Sequence, residues 1–193
     1  MRGFFAIALT DPARQLLTDA CEAFRDAAPS WRSEKWVDPA NYHITLAFLG
    51  EQPRELTDAL VTRVTPAVGR FRPFQLELAS IVAAPRPRAA TMLWATVHTG
   101  ERESAEIAAI LRDAASDLGV EPPRRPFAAH VTLVRARRPR PAPDDALAAA
   151  SEVVAARSRL GTVSVGEVIL CSSTLTPRGP VYEAVERIQL RGD

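Results

Sequence analysis

The most constraining feature of this chain is a tetrapeptide, His-x-Thr-Leu, that occurs twice. It stands at positions 43–46 and again at 130–133, with a β-branched aliphatic residue in the second position each time. Both copies lie in apolar runs rich in Ile, Val and Thr, which are typical of β-strands. Alternate residues of a strand share a face, so the His and Thr of each copy project together over an aliphatic face that can be buried. The sequence therefore predicts two strands that each present an imidazole beside a hydroxyl.

This pairing suits the hydrolysis of a phosphodiester. The reaction needs a base that activates water and an acid that protonates the leaving oxygen, and histidine titrates near neutral pH. We therefore predict His43 and His130 as the acid–base pair, with Thr45 and Thr132 donating hydrogen bonds to phosphoryl oxygens. One such tetrapeptide alone would more readily be structural. A second copy in the same phase favours function, because the chain has only three histidines.

The composition is that of an ordinary globular protein. The chain has 193 residues, 47% of them hydrophobic, and a net charge of +1, so its overall charge indicates neither nucleic acid nor membrane. Cys21 and Cys171 are too few for a disulfide framework, and no segment approaches the length of a membrane span. We expect a cytoplasmic monomer with reduced thiols, no membrane contact, no metal and no cofactor.

Periodicity and turn residues predict an α+β protein with antiparallel sheets. Pro66 is predicted to end the second helix, Gly119 to cap the third, and residues 137–145 to form an exposed Pro-rich loop. We expect residues 1–193 to form one domain with two pseudo-symmetric lobes, whose sheets face a central cleft and carry helices outside. The predicted strands are 3–9, 42–49, 74–83, 91–97, 130–134, 163–171 and 181–190. The predicted helices are 12–28, with Asp11 as its N-cap, 53–66, 101–118 and 144–157.

The motifs and their surroundings carry a family resemblance. The stretches KWVDPANYHITLAFLGE, LWATV, RPFAAHVTLVRAR and VGEVILCSSTLTPRGPVYEAVERIQL resemble, in the family's order, the RNA 2′,3′-cyclic phosphodiesterases. These enzymes are also called 2′-5′ RNA ligases and belong to the two-histidine phosphoesterase superfamily. Bacterial relatives often carry Arg-Pro before the second motif, where this chain has Ala128-Ala129 and so lacks one phosphate or RNA contact.

The resemblance implies a substrate and a division of roles. It implies a bilobal fold that hydrolyses RNA 2′,3′-cyclic phosphate ends, or nucleoside 2′,3′-cyclic phosphates, to 2′-phosphomonoesters, with 2′-5′ ligation as the reverse reaction. By analogy His43 is the acid that protonates the departing O3′ and His130 is the base. The sequence alone does not separate these two roles.

Six arginines between positions 124 and 140 create a local positive charge around the second motif, which suits an RNA end. We predict a phosphate contact for Arg135 above the others, although strict alternation would turn it away from His130 unless the strand bulges. The alternative is a solvated loop in an Arg-rich chain. The six are Arg124, Arg125, Arg135, Arg137, Arg138 and Arg140.

The aromatic residues near the motifs are less specific. Phe48 could stack a terminal base, as the family's aromatic at this position suggests, but it is also out of phase with His43 without a bulge. A core role for Phe48 is equally compatible with the sequence. We predict that Trp36 packs beneath the first motif, that Tyr42, Phe127 and Trp94 are core residues, and that His98 lies on the surface.

Three other functions remain open. The chain could act on a small cyclic nucleotide such as ADP-ribose cyclic phosphate, and relative rates on the two substrates would discriminate. It could be a non-catalytic RNA-binding module, although pure binding does not need two titratable groups. A metallohydrolase using three histidines is the last alternative, but the sequence lacks His-Glu-x-x-His and Cys-x-x-Cys spacings.

Overall fold

A computed structural model describes residues 1–121, 125–177 and 179–192. These residues form an α+β fold with four α-helices and nine strands, which confirms the predicted fold class. The helices are α1 (Asp11–Ala27), α2 (Arg54–Gly69), α3 (Glu101–Asp117) and α4 (Asp144–Ala156). The strands are β1 (Arg2–Ala8), β2 (Lys35–Trp36), β3 (His43–Glu51), β4 (Phe74–Ala84), β5 (Ala90–Val97), β6 (His130–Arg140), β7 (Thr162–Val165), β8 (Glu167–Thr176) and β9 (Gly179–Gln189).

The strands form one curled antiparallel sheet with the two motif strands at its centre. The order is β7-β4-β5-β6-β3-β1-β8-β9, and β2 pairs with β6 beside β3. Each motif strand is thus the innermost of four: β6 ends the group β7-β4-β5-β6, and β3 begins the group β3-β1-β8-β9. We call these groups the β6 half and the β3 half. The two halves meet at one register pair, Ile44 opposite Val131.

The helices cover one face of this sheet and leave the other to the motif side chains. Helix α1 packs on α4, which lies on β4, while α2 packs on α3, which lies on β3. Phe5, Ile44 and Val131 point to the helices and are fully buried with helix residues such as Leu17 and Ile107. Alternation therefore directs the histidines and threonines to the opposite face.

Local sequence signals explain most element ends. Thr10, and not the predicted Asp11, caps α1: its hydroxyl accepts from the Ala13 N–H, and Pro12 occupies the first turn. Gly119 follows α3 with φ of +85°, and the Val120 N–H returns to the Ala115 carbonyl, as the predicted cap requires.

One predicted strand and two predicted element ends were wrong. Residues 163–171 do not form one strand: β7 ends at Val165 in the β6 half, and β8 begins at Glu167 in the β3 half. Pro66 does not end α2, which continues to Gly69 because the next turn buries Val68 completely against the core. Residues 137–140 are not part of a loop, since β6 runs on to Arg140. The Arg137 N–H donates to Glu34 at 2.8 Å, and the Arg140 guanidinium pairs with the same carboxylate.

Candidate active site

The junction of the two halves brings the two His-x-Thr-Leu motifs together. Ile44 and Val131, the second residue of each motif, are register partners across antiparallel strands. The two motifs are therefore related by an approximate local two-fold axis that passes through this pair. On the face opposite Ile44 and Val131, His43 lies across from Thr132 and Thr45 lies across from His130. The imidazoles and hydroxyls of the two motifs, which are far apart in the sequence, thus lie close together on one face of the sheet.

Each imidazole is anchored through the same ring nitrogen. His43 Nδ1 lies 2.7 Å from the Asn41 carbonyl oxygen, and His130 Nδ1 lies 2.7 Å from the Ala128 carbonyl oxygen. A carbonyl only accepts, so Nδ1 carries the proton in both rings and donates it. The Nε2 atom of each ring is then the one that exchanges protons. Because the contact is to the backbone, the Ala128-Ala129 sequence retains it.

The environments of the two Nε2 atoms differ. His43 Nε2 lies 3.0 Å from the Thr45 hydroxyl, which confirms that this His and Thr share a face. Within the described residues, His130 Nε2 and the Thr132 hydroxyl have no hydrogen-bond partner. Trp94 instead stacks on the His130 ring, with centroids 3.9 Å apart and planes 24° apart. Trp94 pairs with Thr132 across β5 and β6, so it shares the motif face.

Burial and charge lower the pKa of both imidazoles. For His43 the main cause is burial, which disfavours the cation; the Asn41 carbonyl opposes this, and the positive charges of Arg135 and His130 add to it. For His130 burial again dominates, the Ala128 carbonyl opposes it, and Arg135 adds to it. Both pKa values fall below the ordinary 6.5, so both rings are neutral at pH 7 without a bound anion.

A β-bulge follows the threonine in both motif strands. In β3, Phe5 pairs with Ala47 and Ala6 with Thr45, so Leu46 is an extra residue. In β6, Leu93 pairs with Val134 and Trp94 with Thr132, so Leu133 is the extra residue. Such a bulge changes the phase of the residues that follow it. The last residue of each tetrapeptide is therefore a bulge position.

These bulges bring Phe48 and Arg135 onto the motif face. Both are exposed, five residues after their histidine, and each follows two buried residues in succession. Phe48 pairs with Phe4, whose ring lies 4.8 Å from that of His43. Arg135 pairs with Met92 and its guanidinium lies 3.2 Å from the Met92 sulfur. Simple alternation would place Phe48 and Arg135 on the face opposite the histidines. Because of the bulges, both side chains lie on the same face as the histidines.

Three other arginines of the cluster, Arg137, Arg138 and Arg140, lie at a surface depression beside Glu34. Arg140 is paired with Glu34 and lies over the Trp31 ring, with 5.2 Å from Cζ to the centroid. Arg137 and Arg138 line a surface depression with these two residues. Arg124 lies outside the described residues. Of the cluster, Arg135 is the residue whose charge acts on both imidazoles.

The structure corrects one aromatic prediction and adds site residues that the sequence did not indicate. Trp94 is not a core residue: it is half-buried against His130. Tyr182 of β9 meets the His43 ring edge-on, with centroids 5.2 Å apart. No local motif marks Tyr182 or Phe4. Phe4 is near His43 because β1 pairs with β3, and Tyr182 reaches the His43 ring from β9, across β8 and β1 of the curled sheet.

Three of the remaining aromatic and histidine predictions agree with the structure, and the prediction for Trp36 is half right. Tyr42 is 3% exposed and Phe127 packs against the core. Trp36 packs against the core as predicted, but its strand β2 pairs with β6 at Val134, so it lies beside the second motif strand and not beneath the first motif. His98 is exposed.

Neither a metal-binding cluster nor a membrane-spanning helix is present among the described residues. Residues 1–121, 125–177 and 179–192 contain no group of three or more His, Cys, Asp or Glu side chains placed to hold a metal ion. No helix within the same ranges is long and apolar enough to span a membrane.

Comparison with known proteins identifies the family to which the chain is similar. A family model described as LigT-like phosphoesterase matches residues 7–94 and 97–182, and each match contains one motif. An RNA 2′,3′-cyclic phosphodiesterase of Aeropyrum pernix is 31% identical over 80% of this chain and 85% of its own length.

Two solved structures share the fold over nearly the whole chain. The crystal structure of TT0787 from Thermus thermophilus has a TM-score of 0.78 and 27% identity and covers all of both chains. The structure of E. coli LigT complexed with 3′-AMP has a TM-score of 0.71 and 25% identity, covering 98% of this chain and 97% of that one. Because the family model matches both parts of the chain, which together make up most of its length, this chain belongs to the LigT-like phosphoesterase family.

Proposed function

We propose that this protein hydrolyses RNA 2′,3′-cyclic phosphate ends to 2′-phosphomonoesters, using His43 and His130 as a metal-independent acid–base pair. The observation that carries the proposal is the local two-fold arrangement, in which two Nδ1-anchored imidazoles and two threonines share one face at the Ile44–Val131 junction. The names of relatives such as the Aeropyrum pernix protein support the choice of substrate.

The reaction assigns one task to each Nε2 atom. His130 Nε2 removes a proton from water, the water oxygen bonds to phosphorus, and the bond from phosphorus to O3′ breaks. His43 Nε2–H gives its proton to O3′, which leaves the phosphate on O2′. Thr45, Thr132 and Arg135 donate hydrogen bonds to the non-bridging oxygens, where negative charge accumulates.

Electrostatics support this order of protonation. Both imidazoles are neutral without a ligand, and the negative charge of a bound phosphodiester favours protonation of one of them. As His130 accepts the proton from water it becomes a cation, and the face of Trp94 stabilises that charge. This asymmetry favours His130 as the base and leaves His43 as the acid.

The same groups serve ligation when a 5′-hydroxyl replaces water. His130 then deprotonates the 5′-hydroxyl, and the product is a 2′-5′ phosphodiester. A test with cyclic-phosphate and 5′-hydroxyl oligonucleotides held together by a splint would detect a joined strand resistant to nucleases specific for 3′-5′ bonds.

The proposal is tested by incubating the protein with adenosine 2′,3′-cyclic phosphate in excess EDTA and identifying the product isomer. We expect 2′-AMP, and a rate that falls about 10²- to 10⁴-fold in His43→Ala and in His130→Ala. His98→Ala, which removes the exposed third histidine, is the matched control. A 3′-AMP product, or full activity in either motif variant, would refute the mechanism. A higher kcat/KM on ADP-ribose cyclic phosphate than on a cyclic-phosphate oligonucleotide would refute the substrate class.

A further inference from the structure

A second group of side chains continues from His43 along the motif face of the β3 half. The Phe4 ring lies 4.8 Å from His43 and 4.9 Å from Tyr182, so these three rings are in mutual contact. Phe48 is the cross-strand partner of Phe4 and is 47% exposed. An aromatic surface therefore leads away from the first histidine.

Arg2 lies at the far end of this surface. It precedes Phe4 by two residues in β1, which places it on the same face about 6.6 Å further along the strand. Its Cζ lies 5.3 Å from the centroid of the Phe48 ring. Arg2 is exposed, and it forms no ion pair with Glu51, its cross-strand neighbour, or with any other described residue. The guanidinium is available to bind an anion.

The charge of Arg2 reaches the same part of the site as that of Arg135. Burial raises the pKa of Tyr182, and the positive charges of Arg135 and then Arg2 oppose that rise. Tyr182 therefore lies within the field of two arginines on different strands, Arg135 of β6 and Arg2 of β1. Two successive phosphates of one nucleic acid strand could then each contact one arginine, Arg135 or Arg2.

We propose that Arg2, Phe48 and Tyr182 form a subsite for the nucleotide step on the 5′ side of the reacting terminus. Arg2 binds the phosphodiester that joins the terminal nucleotide to its 5′ neighbour, Phe48 stacks a base, and Tyr182, which contacts both His43 and Phe4, borders the subsite on its His43 side. The inference rests on the proposed function, because it takes the terminal cyclic phosphate to lie at the histidines.

The chemistry of the substrate fixes the direction. A 2′,3′-cyclic phosphate closes the 3′ end of an RNA strand, so every other phosphate of that strand lies on its 5′ side. A cyclic mononucleotide has no such phosphate, whereas a dinucleotide has one. The subsite therefore selects RNA ends over free cyclic mononucleotides.

The test compares adenosine 2′,3′-cyclic phosphate with the dinucleotide ApA 2′,3′-cyclic phosphate in wild type and in Arg2→Met. Met preserves an apolar stem over Phe48 and removes the charge. We expect the ratio of kcat/KM for the dinucleotide to that for the mononucleotide to fall about tenfold, mainly through the KM of the dinucleotide. Arg159→Met, in the short helix Ser158–Gly161 that packs against α1, is the matched control and leaves the ratio unchanged.

Binding without turnover separates this inference from the proposed function. Calorimetry with the unreactive ligands ApAp and 3′-AMP is expected to show an affinity loss in Arg2→Met for ApAp about tenfold larger than for 3′-AMP. Equal losses for both ligands, or no loss, would overturn the subsite. Failure of the wild type to hydrolyse either cyclic phosphate would overturn the proposed function, and the binding result would still decide the role of Arg2.

Discussion

The β3 and β6 halves share the same local backbone structure around the motif but carry different side chains beside it. In both, the histidine donates its Nδ1 proton to the carbonyl two residues earlier, and a bulge follows the threonine. The next outward residue is Phe48 in one half and Arg135 in the other. The repeated backbone thus places two imidazoles in equivalent settings, while the side chains that differ make the two sides of the site chemically distinct.

The surroundings of the two histidines extend this contrast. His43 is flanked by Phe4 and Tyr182, the start of an aromatic surface suited to bases and sugars. His130 has Trp94 stacked on its ring, and Arg135 lies on the same face. The β6 half is thus better suited to stabilise charge, and the β3 half to hold the rest of a nucleotide.

Among substitutions that leave both histidines in place, removal of the Arg135 charge should have the largest effect on activity. Arg135→Met is expected to lower kcat/KM on a cyclic mononucleotide about 10- to 100-fold, because a charged hydrogen bond to phosphate is lost. It should also raise the pKa of both imidazoles, since Arg135 lowers both. The acid limb of the pH–rate profile would then move to higher pH.

The control for this change is Arg138→Met, three positions further along the same strand, at an exposed position. If Arg138→Met produced the same loss, the general positive charge of the cluster would explain the effect and Arg135 would have no specific role. An acid limb that moved to lower pH in Arg135→Met would contradict the electrostatic account.

Replacing the indole on His130 tests the asymmetry between the two imidazoles. Trp94→Leu is expected to reduce kcat roughly 2- to 30-fold with little change in KM, because cation–π stabilisation acts mainly on the imidazolium that forms during the reaction. Trp94→Phe should restore part of the loss by returning an aromatic face. A loss in KM alone, or equal rates for the Leu and Phe variants, would remove Trp94 from the charge argument.

The smallest expected effect is on the pH dependence of the free energy of unfolding. Each imidazole has a lower pKa in the folded protein, so the unfolded chain binds more protons below the ordinary pKa of 6.5. The free energy of unfolding should therefore fall as the pH drops from about 7.5 towards the folded pKa values. Urea unfolding of His43→Gln should show a shallower fall over this range than wild type. An equal or steeper fall would show that burial of His43 does not disfavour its cation.

Much of the fold could be predicted from the sequence because its signals are local. Apolar periodicity identified the main strands and helices, and Gly119 marked a helix end through its positive φ. The shared face of His43 and Thr45 followed from alternation alone. Pro66 was misleading, since burial of Val68 in the following turn outweighs the local preference to stop.

The parts of the site that escaped prediction depend on strand pairing. The bulges were needed to orient Phe48 and Arg135, and the signal for them was present as two successive apolar residues after each threonine, Leu46-Ala47 and Leu133-Val134. Trp94 and Tyr182 had no comparable signal. Trp94 reaches His130 because β5 pairs with β6, and Tyr182 reaches His43 because β8 and β9 extend the sheet beyond β1.

The central claim is that His43 and His130 act together on one phosphate, and a double-mutant cycle tests it most directly. The rates of His43→Ala, His130→Ala and the double variant would be measured on adenosine 2′,3′-cyclic phosphate at saturating concentration. The account predicts that the double variant is about as slow as either single variant, because proton removal and proton donation belong to one step. A double variant whose loss equals the product of the two single losses would show independent roles and contradict the account.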